Sequence, residues 1–91
     1  GYYEGQWQDD SKSGKGISVF KNGNRYEGQF ANNKRNGTGI YINLDGTSYD
    51  GEWKDDKKHG FGIYTWSDGR RYCGYWGRGK QHGLGTYLVP N

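Results

Sequence analysis

An elongated, single-layer antiparallel β-hairpin meander of about eight strands is the all-β fold that this sequence predicts, and three observations predict it. Four tyrosines, Tyr3, Tyr26, Tyr49 and Tyr72, stand 23 residues apart, each followed two residues on by glycine and four on by Trp or Phe. Each unit holds two short alternating stretches separated by polar turn residues. Fifteen of the 18 glycines sit two, eleven, thirteen or twenty residues after those tyrosines, whereas the glycines of a disordered chain would be scattered. The 91 residues therefore read as one repeat domain with units at 3–25, 26–48, 49–71 and 72–91.

The first strand of each unit alternates cleanly. Tyr26, Gly28 and Phe30 share one face and Glu27 and Gln29 the other, and Tyr49 to Trp53 repeats the pattern. In the second strand Gly60, Gly62 and Tyr64 alternate with Phe61, Ile63 and Thr65. Helix is disfavoured throughout, because each interior glycine costs roughly 1 kcal/mol there. Between the strands lie Asp9-Asp10-Ser11-Lys12, Asn32-Asn33-Lys34-Arg35, Asp55-Asp56-Lys57-Lys58 and Arg78-Gly79-Lys80-Gln81, read as four-residue turns. Such a turn would set Trp53 opposite Gly60, Gly51 opposite Gly62 and Tyr49 opposite Tyr64. Successive units are joined through Asn22-Gly23, Asp45-Gly46 and Asp68-Gly69. A two-residue turn there would move the aromatics of the next unit to the other face. A three-residue loop with a left-handed glycine keeps Tyr64 opposite Tyr72, and is preferred for that reason.

Composition bounds the function. Hydrophobic residues make up 30% and aromatic residues 18% of the chain, which leaves too little aliphatic material for a conventional two-layer core. A net charge of +3 is too mild to predict nucleic-acid binding. One cysteine, Cys73, excludes an internal disulfide and points to a reducing compartment or to indifference to redox conditions. No apolar run approaches the ~18 residues of a membrane span, and no signal-peptide pattern is present. The chain begins just before one unit and stops inside another, so it is expected to be part of a longer protein.

The aromatic face is the leading candidate surface. It gathers Tyr26, Phe30, Tyr41, Tyr49, Trp53, Tyr64, Tyr72, Trp76 and Tyr87, with Tyr3 and Trp7 at one end and Phe20 and Trp66 near its edge. A single layer leaves one side uncovered, and a contiguous aromatic patch suits an extended or helical peptide, or a second copy of the chain. The competing account makes these rings the core of the sheet. Units two and three should form the centre of the surface. Ser18 replaces the expected tyrosine opposite Tyr3 and Tyr26 and weakens the first unit. Lys34, Arg35, Lys57, Lys58 and Lys80 recur at the hairpin tips and form a candidate edge for acidic phospholipid. Acidic residues in the same turns, Asp9-Asp10 and Asp55-Asp56, cancel much of that field.

Chemistry is not expected. His59 and His82 occupy equivalent places in neighbouring units, roughly 10 Å apart by strand spacing, too far for one zinc ion. Gly74 to Lys80 follows the first seven positions of a phosphate-binding loop, but Gln81 stands where Ser or Thr is needed and no helix follows. Asn36-Gly37-Thr38 is a glycosylation sequon made of repeat positions. Carboxylates at Glu4, Glu27 and Asp50 are spread one per unit, so no unique constellation arises. No catalytic residue, metal or cofactor is assigned.

The pattern Tyr-x-Gly-x-Trp/Phe, then Gly-x-Gly, then Asp/Asn-Gly at this spacing resembles the MORN (membrane occupation and recognition nexus) repeat. Tyr49-Asp50-Gly51-Glu52-Trp53-Lys54-Asp55-Asp56-Lys57-Lys58-His59-Gly60-Phe61-Gly62-Ile63-Tyr64 is close to its consensus. Departures are local: Phe30 for Trp, Ser18 for Tyr, Ser11 for a basic residue and Cys73 for an acidic one. The resemblance implies an elongated antiparallel sheet with an aromatic groove, acting without activity of its own in cytoskeletal scaffolds, ciliary spokes or junctional proteins. It implies a protein partner or self-association in the cytoplasm, with binding of acidic phospholipid, or service as a targeting appendage of a kinase or methyltransferase, as alternatives.

Overall fold

Two kinds of turn alternate along the chain, and the difference between them sets the register. The computed structural model describes residues 1–91 as eight strands: β1 (Tyr2–Gln8), β2 (Ser11–Val19), β3 (Arg25–Ala31), β4 (Lys34–Ile42), β5 (Ser48–Lys54), β6 (Lys57–Thr65), β7 (Arg71–Gly77) and β8 (Lys80–Leu88). They form one antiparallel sheet in sequence order, with no helix. The molecule measures 46 × 26 × 16 Å, and its thinnest dimension leaves room for one sheet and its side chains.

Between units the expected three-residue loop is found. At Ser67-Asp68-Gly69 the Gly69 amide donates to the Trp66 carbonyl at 3.0 Å, and the Trp66 amide to the Arg70 carbonyl at 2.9 Å. Gly69 takes a φ of 95°, and Tyr64 stands opposite Tyr72.

Within units the expected four-residue turn is wrong. Asp55 and Asp56 take φ of 49° and 70°, as Asp9-Asp10, Asn32-Asn33 and Arg78-Gly79 do in their places, so two left-handed residues close each hairpin as a type I′ turn. Asp and Asn enter this region more readily than other non-glycine residues. Lys57 and Lys58 therefore belong to β6, paired with Lys54 and Trp53. The two residues saved at the tip reappear as a bulge in which Glu52 alone faces the stretch 59–61. Gly60, with φ 66°, permits it, and the carboxylate of Glu52 accepts the Phe61 amide at 3.2 Å. Gln29 and Gln6 do the same for Thr38 and Lys15 at 2.8 and 2.7 Å. Trp53 consequently faces Gly37 of the preceding unit, and Gly60 faces Trp76 of the next.

Four glycine pairs, Gly5/Gly16, Gly28/Gly39, Gly51/Gly62 and Gly74/Gly85, stand opposite each other across the hairpins. The tyrosine that opens each unit lies across its pair. A Cβ on Gly62 would sit 2.1 Å from the Tyr49 hydroxyl and 2.3 Å from its Cζ. The Tyr3, Tyr26 and Tyr49 hydroxyls then donate to the Gln6, Gln29 and Glu52 carbonyls at 2.7, 2.8 and 3.2 Å. The core is wholly aromatic: Tyr26, Phe30, Tyr49, Trp53, Tyr72 and Trp76 are buried in one cluster. Edge-to-face contacts run Tyr26–Phe30 at 5.0 Å, Tyr26–Trp53 at 5.5 Å, Tyr49–Trp53 at 5.1 Å and Tyr49–Trp76 at 5.4 Å, so each tyrosine touches the indole or phenyl ring of its own unit and of the next.

Gly62→Ala should cost about 2–4 kcal/mol, because the new methyl must expel the Tyr49 ring. Gly77→Ala, where a Cβ would come no closer than 3.8 Å to His82, should cost less than ~0.5 kcal/mol. Urea unfolding of both variants checks this, and equal losses would contradict the tyrosine-over-glycine packing.

Candidate functional site

Strand alternation and the bulge together place three classes of side chain on the aromatic face. Tyr26 and Tyr49, 0% and 1% exposed, form its floor with Phe30, Trp53, Tyr72 and Trp76. Tyr41, Tyr64 and Trp66 form a half-buried tier against that floor, and Tyr87, 59% exposed, ends it on the edge strand. Phe20 stacks on Tyr41 at 5.5 Å and Trp66 on Tyr87 at 5.8 Å, with Tyr64 4.9 Å from Trp66. Six of the ten candidate aromatic residues are thus core, and four remain reachable. Ser18 stands between Tyr3 and Tyr26, as expected, and leaves no ring in the first unit at the place that Tyr41 and Tyr64 hold in theirs.

The cations do not form one edge. Lys34, Lys57 and Lys80 follow the turns directly and pair with Ala31, Lys54 and Gly77. All three are exposed. Lys12, Arg35 and Lys58, one residue further on, fold over the rings. Arg35 Cζ lies 4.6 Å from the Trp53 ring and 5.1 Å from Tyr41. Lys58 Nζ lies 5.3–5.6 Å from Trp76, Tyr49 and Tyr64, and Lys12 Nζ 5.1 Å from Tyr3. The bulge produced this split, since a four-residue turn would have left both cations of each pair in solvent. Between the middle units the aromatic face dips into a depression of about 260 Å³ lined by Arg35, Tyr41, Trp53, Lys58 and Tyr64, among others. Across the sheet edge a second depression of about 490 Å³ is lined by Lys34, Lys54, Lys57, Lys58, His59 and Arg78, with Asp55 as the one carboxylate, so Lys57 and Lys58 border both depressions.

Burial sets the electrostatics. It pushes the Tyr26 phenol up to about 12, more than the nearby Arg35 guanidinium lowers it, and the Tyr49 phenol likewise to about 12. Burial also holds the Lys58 ammonium below its ordinary range, and Arg35 adds to the effect.

Three features escaped the sequence reading. Lys54 and Arg78 join the second basic cluster. Gln6, Gln29 and Glu52 close the bulges of the first three units, for which their fixed place after Tyr-x-Gly was the available signal. Asn33 and Asp56 reach back to the preceding hairpin: the Asp56 amide donates to the Arg35 carbonyl at 3.1 Å, and its carboxylate accepts the Arg35 amide and Nε at 2.8 and 3.1 Å. On the opposite face Glu4, Ile17, Glu27, Ile40, Asp50, Ile63 and Cys73 follow one another across the strands. No group of three His, Cys, Asp or Glu side chains is placed to hold a metal ion. Gly74 to Gln81 runs through β7, its turn and the start of β8.

The period, the hairpin units and the tyrosine floor are matched by one family description, the MORN repeat, at residues 3–25, 26–48, 49–70 and 72–91. The chain belongs to the MORN repeat family. A search of curated proteins gives no significant match to it. MORN repeats are binding and scaffold modules that mediate protein or membrane interactions, and the family is generally non-catalytic. In this MORN array no helix is long and apolar enough to cross a membrane.

The buried phenols make the stability of the array sensitive to alkali. Their folded pKa of about 12 exceeds the unfolded value of 10.0, so the folded state holds these protons more tightly. That contribution is complete below pH 10 and is lost as pH rises through about 12. The urea midpoint should fall across that window, and less steeply for Tyr26→Phe combined with Tyr49→Phe. A wild-type midpoint that stays level would contradict the burial of these phenols.

Proposed function

We propose that this MORN array is a non-catalytic scaffold that holds a protein partner, a peptide or a helix, against the outer tier of its aromatic face within a cytoplasmic, cytoskeletal or ciliary assembly. The observation that carries the reading is the division of the aromatic residues into a closed floor and a half-open tier. The floor supplies the packing that joins the units, whereas Tyr41, Tyr64, Trp66 and Tyr87 keep ring surface available beyond what the sheet covers. Large, stiff, amphipathic rings around a depression are the side chains that dominate protein interfaces, because they bury much area while losing little conformational entropy. A second copy of the chain is the other protein occupant.

Burial also decides how the reading is tested. Replacing Tyr49 or Trp53, 1% and 5% exposed, would remove core rings at ~3–5 kcal/mol each and so would test folding. Tyr64 and Trp66 are the discriminating positions.

A second reading is favoured by one observation, the cluster of Lys34, Lys54, Lys57 and Arg78 around a single Asp55. Those cations suit an anionic membrane surface, each contributing about 1 kcal/mol near it.

Tyr64→Ala with Trp66→Ala should weaken capture of protein partners from the native cell at least about tenfold while the circular dichroism spectrum is retained. Lys34, Lys54, Lys57 and Arg78 changed together to Gln should leave that capture intact. Unchanged capture by the aromatic double variant defeats the first reading. Binding to phosphatidylserine vesicles that vanishes with the four cations, and with added salt, establishes the second.

A further inference from the structure

The three junctions between hairpin tips are built alike except at one atom group. At the first, the Asn33 amide donates to the Lys12 carbonyl at 3.2 Å and Asn33 Oδ1 accepts the Lys12 amide at 2.8 Å. At the second, Asp56 repeats both bonds with Arg35, and its carboxylate pairs with Arg35 Nε at 3.1 Å. At the third, the Gly79 amide donates to the Lys58 carbonyl at 3.1 Å, and Gly79 has no side chain with which to complete the set. Lys58 is thereby left half-buried among Tyr49, Tyr64 and Trp76, without an ion pair in the chain. Trp76 Nε1, in the same junction, is a buried donor with no acceptor, whereas its counterpart Trp53 Nε1 donates to the Gly39 carbonyl at 3.0 Å. The third junction is rich in donors and lacks an acceptor.

We infer that the depression between Arg35 and Lys58 is a carboxylate subsite, in which Lys58 receives an Asp or Glu side chain of an acidic segment of the protein partner. The carboxylate takes toward Lys58 the place that Asp56 holds toward Arg35. This rests on the protein-binding reading above and gives it a chemistry. Charge selects the ligand. Arg35 and Asp56 neutralise each other, which leaves the depression two cations without a counterion, Lys58 half-buried among the rings and Lys57 exposed beside it. Of the two only Lys58 is half-buried, and its counterpart Arg35 is answered by a single carboxylate, so a single carboxylate is the group that the third junction lacks. Burial already disfavours the lone ammonium, so a counterion there restores what desolvation removed. The rims carry the Tyr41 and Tyr64 rings, which suit apolar residues flanking the acidic one.

Selection from a random peptide display library on the folded chain tests this, with affinities of the selected peptides then measured by calorimetry. The expected result is an Asp or Glu at a fixed position. Its change to Asn or Gln, Lys58→Met and Gly79→Asp should each weaken binding about tenfold or more, and Lys58→Arg should retain it within about threefold. Gly79→Asp is the decisive variant: Asp10 and Asp56 hold the same left-handed conformation at equivalent turns, so the chain folds and supplies its own carboxylate to Lys58. Peptides without an acidic residue, or unchanged binding to Gly79→Asp, overturn the subsite while leaving the partner-binding face in place. Failure to select any peptide overturns both. Lys58-dependent binding of inorganic phosphate or phosphatidylserine vesicles in place of peptide assigns the site to another anion and also overturns the inference.

Discussion

A tyrosine ring laid across two bare glycine residues is the contact on which the rest of this sheet depends. With any side chain at Gly39 or Gly62 the ring could not reach the backbone, and with any smaller residue at Tyr26 or Tyr49 the glycine pair would lie open to water. Once seated, the ring presents its edges to the Trp or Phe of its own unit and of the next, at 5.0–5.5 Å. A single layer so poor in aliphatic residues has no other material with which to join its units, so stability is transmitted between neighbours through this aromatic ladder. Trp7 meets only the ring of Tyr3 in its own unit and is more than half exposed, whereas Trp53 and Trp76 each meet the tyrosines of two units and are buried.

The same packing divides labour on one face. Floor residues are committed to holding units together, and the tier above them is left with surface to spare. Cations enter between the two. Arg35 Cζ and Lys58 Nζ lie over rings, where a desolvated cation gains ~2 kcal/mol or more, and an exposed one ~0.5–1 kcal/mol. Arg35 is completed by Asp56 from the next hairpin, whereas Lys58 has only a glycine opposite. Identical scaffolding thus gives one neutralised cation and one unpaired cation a single unit apart. The repeat supplies geometry, and individual substitutions in it supply recognition.

Much of this architecture was readable along the chain. The tyrosine period fixed the units, strand alternation fixed which residues share a face, and the need to keep aromatics on one side fixed the three-residue loop at Ser67-Asp68-Gly69. Each of those is a local, periodic constraint. The hairpin tip was misread because a four-residue and a two-residue turn preserve the same facing of Tyr49 and Tyr64, the two surplus residues being hidden either at the tip or in a bulge. Left-handed φ at Asp55 and Asp56 and the Glu52 cap decide for the bulge, and both rely on partners beyond the turn itself.

Pattern along the chain was therefore enough for the class of fold, the number of strands, the pairing of tyrosines and the family. It was not enough to say which aromatic residues are core and which are surface, because all alternate with the same phase and only the overlap of neighbouring units closes off Tyr49 while leaving Tyr64 half open. Nor could it separate Lys57 from Lys58. One residue of register sends one ammonium into water and folds the other over three rings, and that register is set by a bulge whose closure needs the opposite strand.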